Sequence, residues 1–501
     1  MSIKKLAGQT VWYGLSNIAA KLLNYILTPI VTYLLNSPQG RVDYGDVSML
    51  YAAIAFANII FTYGLETGYF RFSSKAEDKS SLFHTLFNSL LGSTLLLSLL
   101  VYLFREPISV FVEQGGHSDY IVLCTFIIAF DTLAAIPFAR LRQEDRPKKY
   151  AFVRIAGIMV NIILTIFFIY YSPQYAAANP ESAYTIWFQK QTNVGLLLLA
   201  NLAQSAITFL LLWKEWAQFK AKMDWRLWKK VMRYSTPMLI IGMGGMVNET
   251  IDRLMLPKLL PVSDAAAKTA VGIYSANYKL AIFITLFIQA FRLGAEPFFF
   301  HQAGQKNAPQ TYARVMKWFV ITLCIAFLFT ALYLDVWVRL LGSSYRTGVG
   351  VVPILLGANM ALGIYYNLSV WYKITDQMRM GVYITLVGAA ITLLVNYFFI
   401  PHFGMYACAW ATFTCYTTMM VISYILGQRY YPVPYEVKRL MGYLLLIVML
   451  FLIQQYLSSI MESVLMNLVS ATTLFTAFLG VVYTAEKEEL KRIPIIGKWV
   501  K

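Results

Sequence analysis

The chain has 501 residues, of which 58% are hydrophobic and 13% charged, and its net charge is +17. That composition excludes an ordinary soluble protein. The basic excess could suggest nucleic-acid binding, but Lys and Arg fall in short segments between apolar runs and are not gathered in one module. Because cytoplasmic loops of membrane proteins are enriched in Lys and Arg, the pattern predicts a polytopic membrane protein that does not bind nucleic acid.

Fourteen apolar runs are long enough to cross the hydrocarbon core, which takes roughly 20 residues of helix. The first run follows two lysines and continues without a small-residue cleavage site, so it predicts an uncleaved span rather than a signal peptide. The distribution of basic residues predicts that both termini lie in the cytoplasm. In chain order the runs are 9–35, 46–70, 82–104, 119–139, 151–171, 191–213, 235–257, 271–297, 314–337, 349–372, 380–400, 404–427, 441–457 and 463–484.

An internal repeat relates spans 1–6 to spans 7–12, with an offset that drifts slowly from 227 to 231 residues. An even number of spans in each copy gives both copies the same orientation, so the predicted pseudo-twofold axis runs along the membrane normal. Spans 13 and 14 stand outside the repeat. The matched residues in span 2 and span 8 are Gly45, Ser48, Tyr51, Gly64 and Glu66 with Gly272, Ser275, Tyr278, Gly294 and Glu296.

These observations predict an all-α polytopic protein with two six-helix lobes and an additional C-terminal helix pair. The predicted boundaries are 1–213 for the N-lobe, 214–234 for a linker, 235–428 for the C-lobe, and 429–501 for the helix pair and its basic tail. The linker mixes Trp and Phe with Lys and Arg and is too charged to span. It favours an amphipathic helix on the cytoplasmic membrane surface, and a plain linker is the alternative.

Three stretches resemble the polysaccharide and lipid-linked oligosaccharide flippases of the multidrug/oligosaccharidyl-lipid/polysaccharide (MOP) exporter superfamily. They are GIYSANYKLA at Gly272–Ala281, RLGAEPFFF at Arg292–Phe300 and NYFFIPHFGMYACAWAT at Asn396–Thr412. The resemblance covers spans 1–12. It implies a V-shaped pair of lobes in the bacterial inner membrane that moves undecaprenyl-pyrophosphate-linked oligosaccharide outward by alternating access. The extra helix pair is similar to that of the fourteen-span lipid II flippases, in which it forms a lipid-facing groove.

The resemblance also implies partners. The substrate would be a polyprenyl-pyrophosphate-linked glycan for O-antigen, capsule or exopolysaccharide, and the protein would contact membrane lipid. Association with a polysaccharide polymerase or glycosyltransferases is a further expectation. No cofactor is expected, and transport could be coupled to a proton or sodium gradient.

Such a substrate requires cations at membrane depth for the pyrophosphate and polar side chains for the sugar. Charged residues inside spans are costly and usually face a cavity or a partner. Lys21 lies deep in span 1 and is the first candidate, although a buried structural pair is the alternative. Arg253 and Lys279 lie nearer the outer ends of their spans and could instead extend to the interface. The candidate substrate-binding residues are Asn17, Lys21, Asn24, Asn248, Asp252, Arg253 and Lys279.

Acidic residues within spans are candidates for ion coupling and for a gate. Asp131 is the lone acid midway along span 4, and Asp131 and Glu249 are the candidates for ion coupling. Glu66, Arg292 and Glu296 lie near the inner ends of spans 2 and 8, where Glu66 and Arg292 could form a cytoplasmic gate. An interfacial salt bridge without function is the alternative. Arg154 on span 5 is expected to be an anchor at the inner interface.

Other function classes are less well supported by the sequence. A lipid II flippase is the alternative within the family, and a multidrug or cation antiporter would favour an acidic cavity over one with Lys21, Arg253 and Lys279. A membrane polymerase or glycosyltransferase would need a catalytic outer loop, but the longest outer loop, Ser172–Lys190, has a single acid. No HExxH, GxSxG, P-loop or paired-Cys motif is present, so neither an enzyme nor a metal site is expected. The four cysteines are interpreted as small core residues.

Overall fold

The computed structural model describes residues 18–19, 21–23, 25–73, 79–461 and 463–491; nearly all of them are helical, and none is in a strand. Eleven helices in these ranges are long and apolar enough to cross a membrane, or twelve if the bent pair Asp264–Ala281 and Phe283–Arg292 forms one span. Of the other two predicted spans, the first is described only in part, and the seventh is a helix whose opening turns are basic. The all-α polytopic fold is confirmed.

The helices follow the apolar runs, and several runs are divided into two helices. A single turn of π-helix, Phe167–Tyr171, joins α7 to α8. The helices are α1 (25–34), α2 (Pro38–Thr62), α3 (Leu65–Ser73), α4 (Lys79–Leu103), α5 (Arg105–Phe111), α6 (Ser118–Gln143), α7 (Pro147–Ile166), α8 (Ser172–Ala178), α9 (Ala183–Phe188), α10 (Asn193–Leu211), α11 (Trp213–Trp216), α12 (Trp225–Thr250), α13 (Asp252–Leu259), α14 (Asp264–Ala281), α15 (Phe283–Gln302), α16 (Ala308–Ala331), α17 (Leu334–Trp337), α18 (Val351–Leu368), α19 (Val370–Ile374), α20 (Met378–Phe403), α21 (Met405–Tyr430), α22 (Val437–Ile460) and α23 (Val464–Leu490).

The first of two compact units comprises Met1–Ala276, Leu341–Gly348 and Val382–Cys415. Helix α6 lies at its centre, because α2, α4 and α10 all pack against it. A helix surrounded in this way has no polar face to present to water, and α6 is accordingly apolar on most sides. Its buried contacts include Ile136 and Ala139, which pack with residues of α3 and α4.

The second unit comprises Asn277–Leu340, Val349–Gly381 and Tyr416–Lys501, and α16 is its central helix. Lys317 of α16 is 2% exposed. Its Nζ lies 3.1 Å from Glu486 and 2.7 Å from Glu489, both on α23, and 3.3 Å from Glu436 just before α22. This buried network joins the C-terminal helix pair to α16. The two units reflect contacts between residues, whereas the predicted lobes reflect the sequence repeat. The units therefore do not test the lobe boundaries, which stay a prediction.

The predicted linker, 214–234, differs from a single surface helix. It begins in the short α11 and passes through an irregular stretch, and its second half forms the opening turns of α12. Asp224 caps α12 by accepting hydrogen bonds from the backbone N–H groups of Arg226 and Leu227, at 2.9 and 3.0 Å. The basic and aromatic residues from Trp225 onward therefore continue directly into the seventh predicted span.

The repeat-related helices α2 and α14 cross at a pair of glycines within the first unit. A Cβ atom on Gly272 would lie 2.5 Å from the carbonyl oxygen of Arg41, and one on Gly45 would lie still closer to that of Lys268. Neither position has room for a side chain. Beside the crossing, Lys268 Nζ lies 3.2 Å from the carboxylate of Asp46. This ion pair adds a polar contact between the two helices.

The second and eighth predicted spans, which both carry candidate gate residues, contain breaks. The second divides into α2 and α3 at Tyr63 and Gly64, which have φ values of 33° and 73°. A positive φ is unusual for a bulky residue, and the Tyr63 hydroxyl is held by a 2.7 Å hydrogen bond with Ser89 Oγ. The eighth span bends by 46° between α14 and α15.

Candidate functional site

A cavity of about 410 Å³ lies within the first unit, among Lys21 and helices α2, α3, α6, α7 and α10. Most of its lining is polar, although the surrounding helices are apolar. A polar cavity of this size suits water or a polar ligand. The lining residues are Lys21, Asn58, Thr62, Glu66, Asp131, Ala134, Ala135, Phe138, Arg154, Ile158, Gln204 and Thr208.

Asp131 and Arg154 face the same cavity from the neighbouring helices α6 and α7. Their charges interact, and Asp131 also faces the Ser205 side chain. The guanidinium of Arg154 lies over the ring of Phe138, 4.6 Å from its centroid, so a cation–π contact fixes its position. Asp131 is the midpoint of the 26-residue α6, about 20 Å from its first residue. Asp131 therefore lies near the middle of a membrane-spanning helix.

Lys21 lines the same cavity as Asp131 and Arg154. The other two candidates in span 1, Asn17 and Asn24, lie outside the described residues. A lysine at this depth needs a polar environment, and the cavity provides carboxylates, amides and hydroxyls.

Glu66, a predicted gate residue, opens α3 at the edge of the cavity and forms an ion pair with Arg142 at the end of α6. The Arg142 guanidinium also lies 4.4 Å from the ring centroid of Phe70. In the second unit, the guanidinium of Arg292 lies over Tyr366 at 4.2 Å. The side chain of Glu296 is outside the described part of the chain. The gate formed by Glu66 and Arg292 stays a prediction.

The predicted residues of span 7 form a separate buried cluster. Arg253 lies 3.1 Å from Asp252 and donates a 2.9 Å hydrogen bond to the backbone oxygen of Glu249. The Tyr274 hydroxyl donates a 2.6 Å hydrogen bond to the other carboxylate oxygen of Asp252. Asn248 is buried close by in sequence, whereas the Glu249 side chain is exposed. In this structure Arg253 is held by protein groups.

Lys279 is half-buried near the end of α14, three residues before the break at Ile282. All four cysteines are free and buried, which confirms their interpretation as core residues. Among the described residues, no group of three or more His, Cys, Asp or Glu side chains is arranged to hold a metal ion.

Four cavity residues, Asn58, Thr62, Gln204 and Thr208, were missed by sequence reasoning. Asn58 and Thr62 are four residues apart in span 2, ahead of the candidate Glu66, and Gln204 and Thr208 are four apart in span 6. Residues four apart share a helical face, so two polar stripes were visible in the sequence. Arg154, which was expected to be an interfacial anchor, also lines the cavity. The stripes do not show which spans are neighbours, and that information required the structure.

Comparison with known proteins identifies the family. The family profile described as "Polysaccharide biosynthesis protein" matches residues 6–295, more than half of the chain. A search of curated proteins gives no match.

Solved structures with a similar fold are transporters. The lipid II flippase MurJ in an inward closed conformation aligns with a TM-score of 0.71 and 12% identity, over 95% of this chain and 99% of MurJ. An inward-facing multidrug resistance MATE family transporter of the MOP superfamily aligns at 0.52 and 12%, over 88% and 96%. The MATE multidrug transporter DinF-BH aligns at 0.56 and 14%, over 86% and 96%. At these identities the likeness concerns the fold. The chain belongs to the polysaccharide biosynthesis protein family and has the fold of the MOP superfamily of membrane transporters.

Proposed function

We propose that the protein is a flippase that moves undecaprenyl-pyrophosphate-linked oligosaccharide from the cytoplasmic to the outer leaflet of the bacterial inner membrane. The product would supply O-antigen, capsule or exopolysaccharide assembly. The observation that carries this proposal is the polar cavity among apolar helices, with Lys21 and Arg154 in its lining. Membership of the polysaccharide biosynthesis family supports the same class of substrate.

The cavity chemistry suits an anionic headgroup that bears sugars. The cavity and the ion pair at its edge together contain three basic groups, Lys21, Arg142 and Arg154, and two acidic groups, Asp131 and Glu66. An Arg guanidinium can hold two phosphate oxygens at once. The amides and hydroxyls of the polar stripes can donate to or accept from sugar hydroxyls. A volume of about 410 Å³ is in the usual range for a small polar ligand.

Asp131 is proposed to couple transport to a proton or sodium gradient. While it is ionised, its carboxylate attracts Arg154. Protonation of Asp131, or a cation bound to it, would cancel that attraction and allow the Arg154 guanidinium to bind pyrophosphate. Asp131→Asn should therefore retain substrate binding but make transport in proteoliposomes insensitive to the imposed gradient. Unchanged gradient dependence would contradict this role.

The role of Lys21 can be tested by export in cells that lack the native gene. Lys21→Ala should lower surface polysaccharide at least tenfold at equal protein level and cause lipid-linked oligosaccharide to accumulate in the cytoplasmic leaflet. Lys21→Arg should preserve part of the export because it keeps the charge. Lys229→Ala, which removes an exposed lysine of α12, is the matched control. Normal export by Lys21→Ala would refute the proposed role.

The same cells distinguish the alternatives. MurJ, whose fold the chain shares, transports lipid II, and accumulation of lipid II instead of oligosaccharide would support that substrate. The acids Asp131 and Glu66 are the features that would suit an organic cation, and cation efflux without polysaccharide loss would support an antiporter. A polymerase or glycosyltransferase would retain activity on detergent-solubilised substrate, where there is no membrane to cross.

A further inference from the structure

Helix α7 extends well beyond the membrane core. With the π-helical turn and α8 it forms one continuous element, Pro147–Ala178, of 32 residues. At 1.5 Å per residue its length is about 48 Å, compared with roughly 30 Å of hydrocarbon. The basic residues Arg146, Lys148 and Lys149 lie at its first end, and the seven residues beyond the predicted span 151–171 project by about 10 Å from the opposite end. The π-helical turn Phe167–Tyr171 lies directly before this projecting part, and such turns are frequent at functional sites.

An aromatic hollow of about 630 Å³ lies against this projection, within the first unit. Five side chains line it: Phe167, Tyr171, Gln174, Tyr175 and Tyr184. None of these described lining residues is charged. The hollow combines aromatic faces with tyrosine hydroxyls and one amide, a mixture common in small-molecule sites.

The connection between α8 and α9, which positions Tyr184, is held by buried hydrogen bonds. Ser172 is 1% exposed, and its hydroxyl lies 2.6 Å from the Tyr184 hydroxyl. Thr185 is fully buried and donates a 2.8 Å hydrogen bond to the Asn179 carbonyl. Ser182 caps α9 by accepting from the Thr185 N–H at 3.1 Å. Tyr184 is therefore held in place before any ligand binds.

The aromatic side chains converge on one space. Tyr184 meets Tyr175 edge to face, with centroids 5.7 Å apart and an interplanar angle of 75°, and lies 6.1 Å from Phe167. Phe167, Tyr171 and Tyr175 are 42%, 55% and 48% exposed. Aromatic residues that anchor a membrane protein form a belt at the headgroup level. In contrast, these residues line an open hollow together with the amide of Gln174.

We propose that the aromatic hollow binds a sugar ring of the glycan that the protein translocates. The C–H groups on a pyranose face carry slight positive charge and pack against the electron-rich face of an aromatic ring. The hydroxyls at the edge of the sugar can bond to the tyrosine hydroxyls and Gln174. The absence of charge in the described lining suits neutral sugar units rather than pyrophosphate. This proposal rests on the proposed flippase function and assigns a second contact to the glycan.

Cysteine labelling tests the proposal directly. The four native cysteines are buried, so a membrane-impermeant maleimide should label a cysteine introduced by Tyr175→Cys selectively. The probe is oligosaccharide released by mild acid from the surface polysaccharide of the same cells. In nanodiscs it should slow labelling of Tyr175→Cys at least threefold. Tyr102→Cys is the matched control, because Tyr102 has the same 48% exposure but lies at the end of α4.

Each outcome of this experiment is informative. Protection of Tyr175→Cys without protection of Tyr102→Cys supports a sugar site, and equal rates with and without probe for both variants refute it. If both variants are labelled more slowly in lipid than in detergent and the probe has no effect, the aromatic residues form an interfacial belt and not a sugar site. Unchanged surface polysaccharide in the cells that lack the native gene would contradict the proposed function, whereas protection of Tyr175→Cys would still leave the hollow as a glycan-binding site.

Discussion

Gly272→Ala should open the crossing between α2 and α14. The added Cβ would lie 2.5 Å from the carbonyl oxygen of Arg41, whereas a carbon and a carbonyl oxygen approach to about 3.3 Å. The helices must therefore separate by about 0.8 Å, and neither contacting group is the end of a flexible side chain. Overpacking of this kind costs about 1–3 kcal/mol. Conformations in which the crossing is open should then gain about 5- to 150-fold in relative population.

The assay uses Ser275→Cys, because Ser275 lies one turn beyond Gly272 and is 3% exposed. With the other cysteines buried, the labelling rate by a membrane-impermeant maleimide reports opening of the crossing. Gly272→Ala should accelerate labelling by a factor in the stated range. Gly92→Ala is the control, since a Cβ on Gly92 meets no atom within 4 Å, and it should leave the rate unchanged. Unaltered labelling in Gly272→Ala would refute the argument from packing.

Two further substitutions test buried polar networks by thermal unfolding in detergent. Lys317→Met should destabilise the protein by about 3–5 kcal/mol, because it removes the buried cation shared by Glu486 and Glu489 and leaves the half-exposed Arg439 as the cation beside Glu486. Lys491→Met removes an exposed partner of Glu488 and should have little effect; equal losses would contradict the role of burial. Tyr274→Phe should cost about 1.5–3 kcal/mol through loss of the hydrogen bond to Asp252, and unchanged stability would show that Arg253 alone satisfies the carboxylate.

The fold was largely predictable because crossing a bilayer imposes a strong pattern on sequence. Hydropathy located the spans, since each needs a long apolar run. The breaks were harder to predict. Tyr63 adopts a positive φ that its residue type disfavours, so only the tertiary structure could reveal it. The bend between α14 and α15 follows no proline or glycine at Ile282, and no local pattern of residues signals it.

The candidate site was predictable in part. Charge inside an apolar run identified Lys21, Glu66 and Asp131, which line one cavity. Charge could not identify the other residues of the cavity. Helical periodicity shows which residues share one side of a helix, but not which other helix that side contacts. Arg253 was selected by the same criterion, yet the structure places it beside Asp252. An intramembrane charge thus marks a polar environment, and the structure is needed to show whether that environment is a cavity or a buried pair.

The break after α2 also has a consequence for the two copies of the repeat. Gly64 has a φ of 73° and begins the turn into α3, whereas its counterpart Gly294 lies inside the uninterrupted helix α15. The same residue type therefore has two backbone conformations, which glycine can adopt at equal ease. An alanine at Gly64 would be strained, because a Cβ atom disfavours a positive φ. One glycine of the matched pair therefore meets a requirement of the backbone that its counterpart, in a regular helix, does not have.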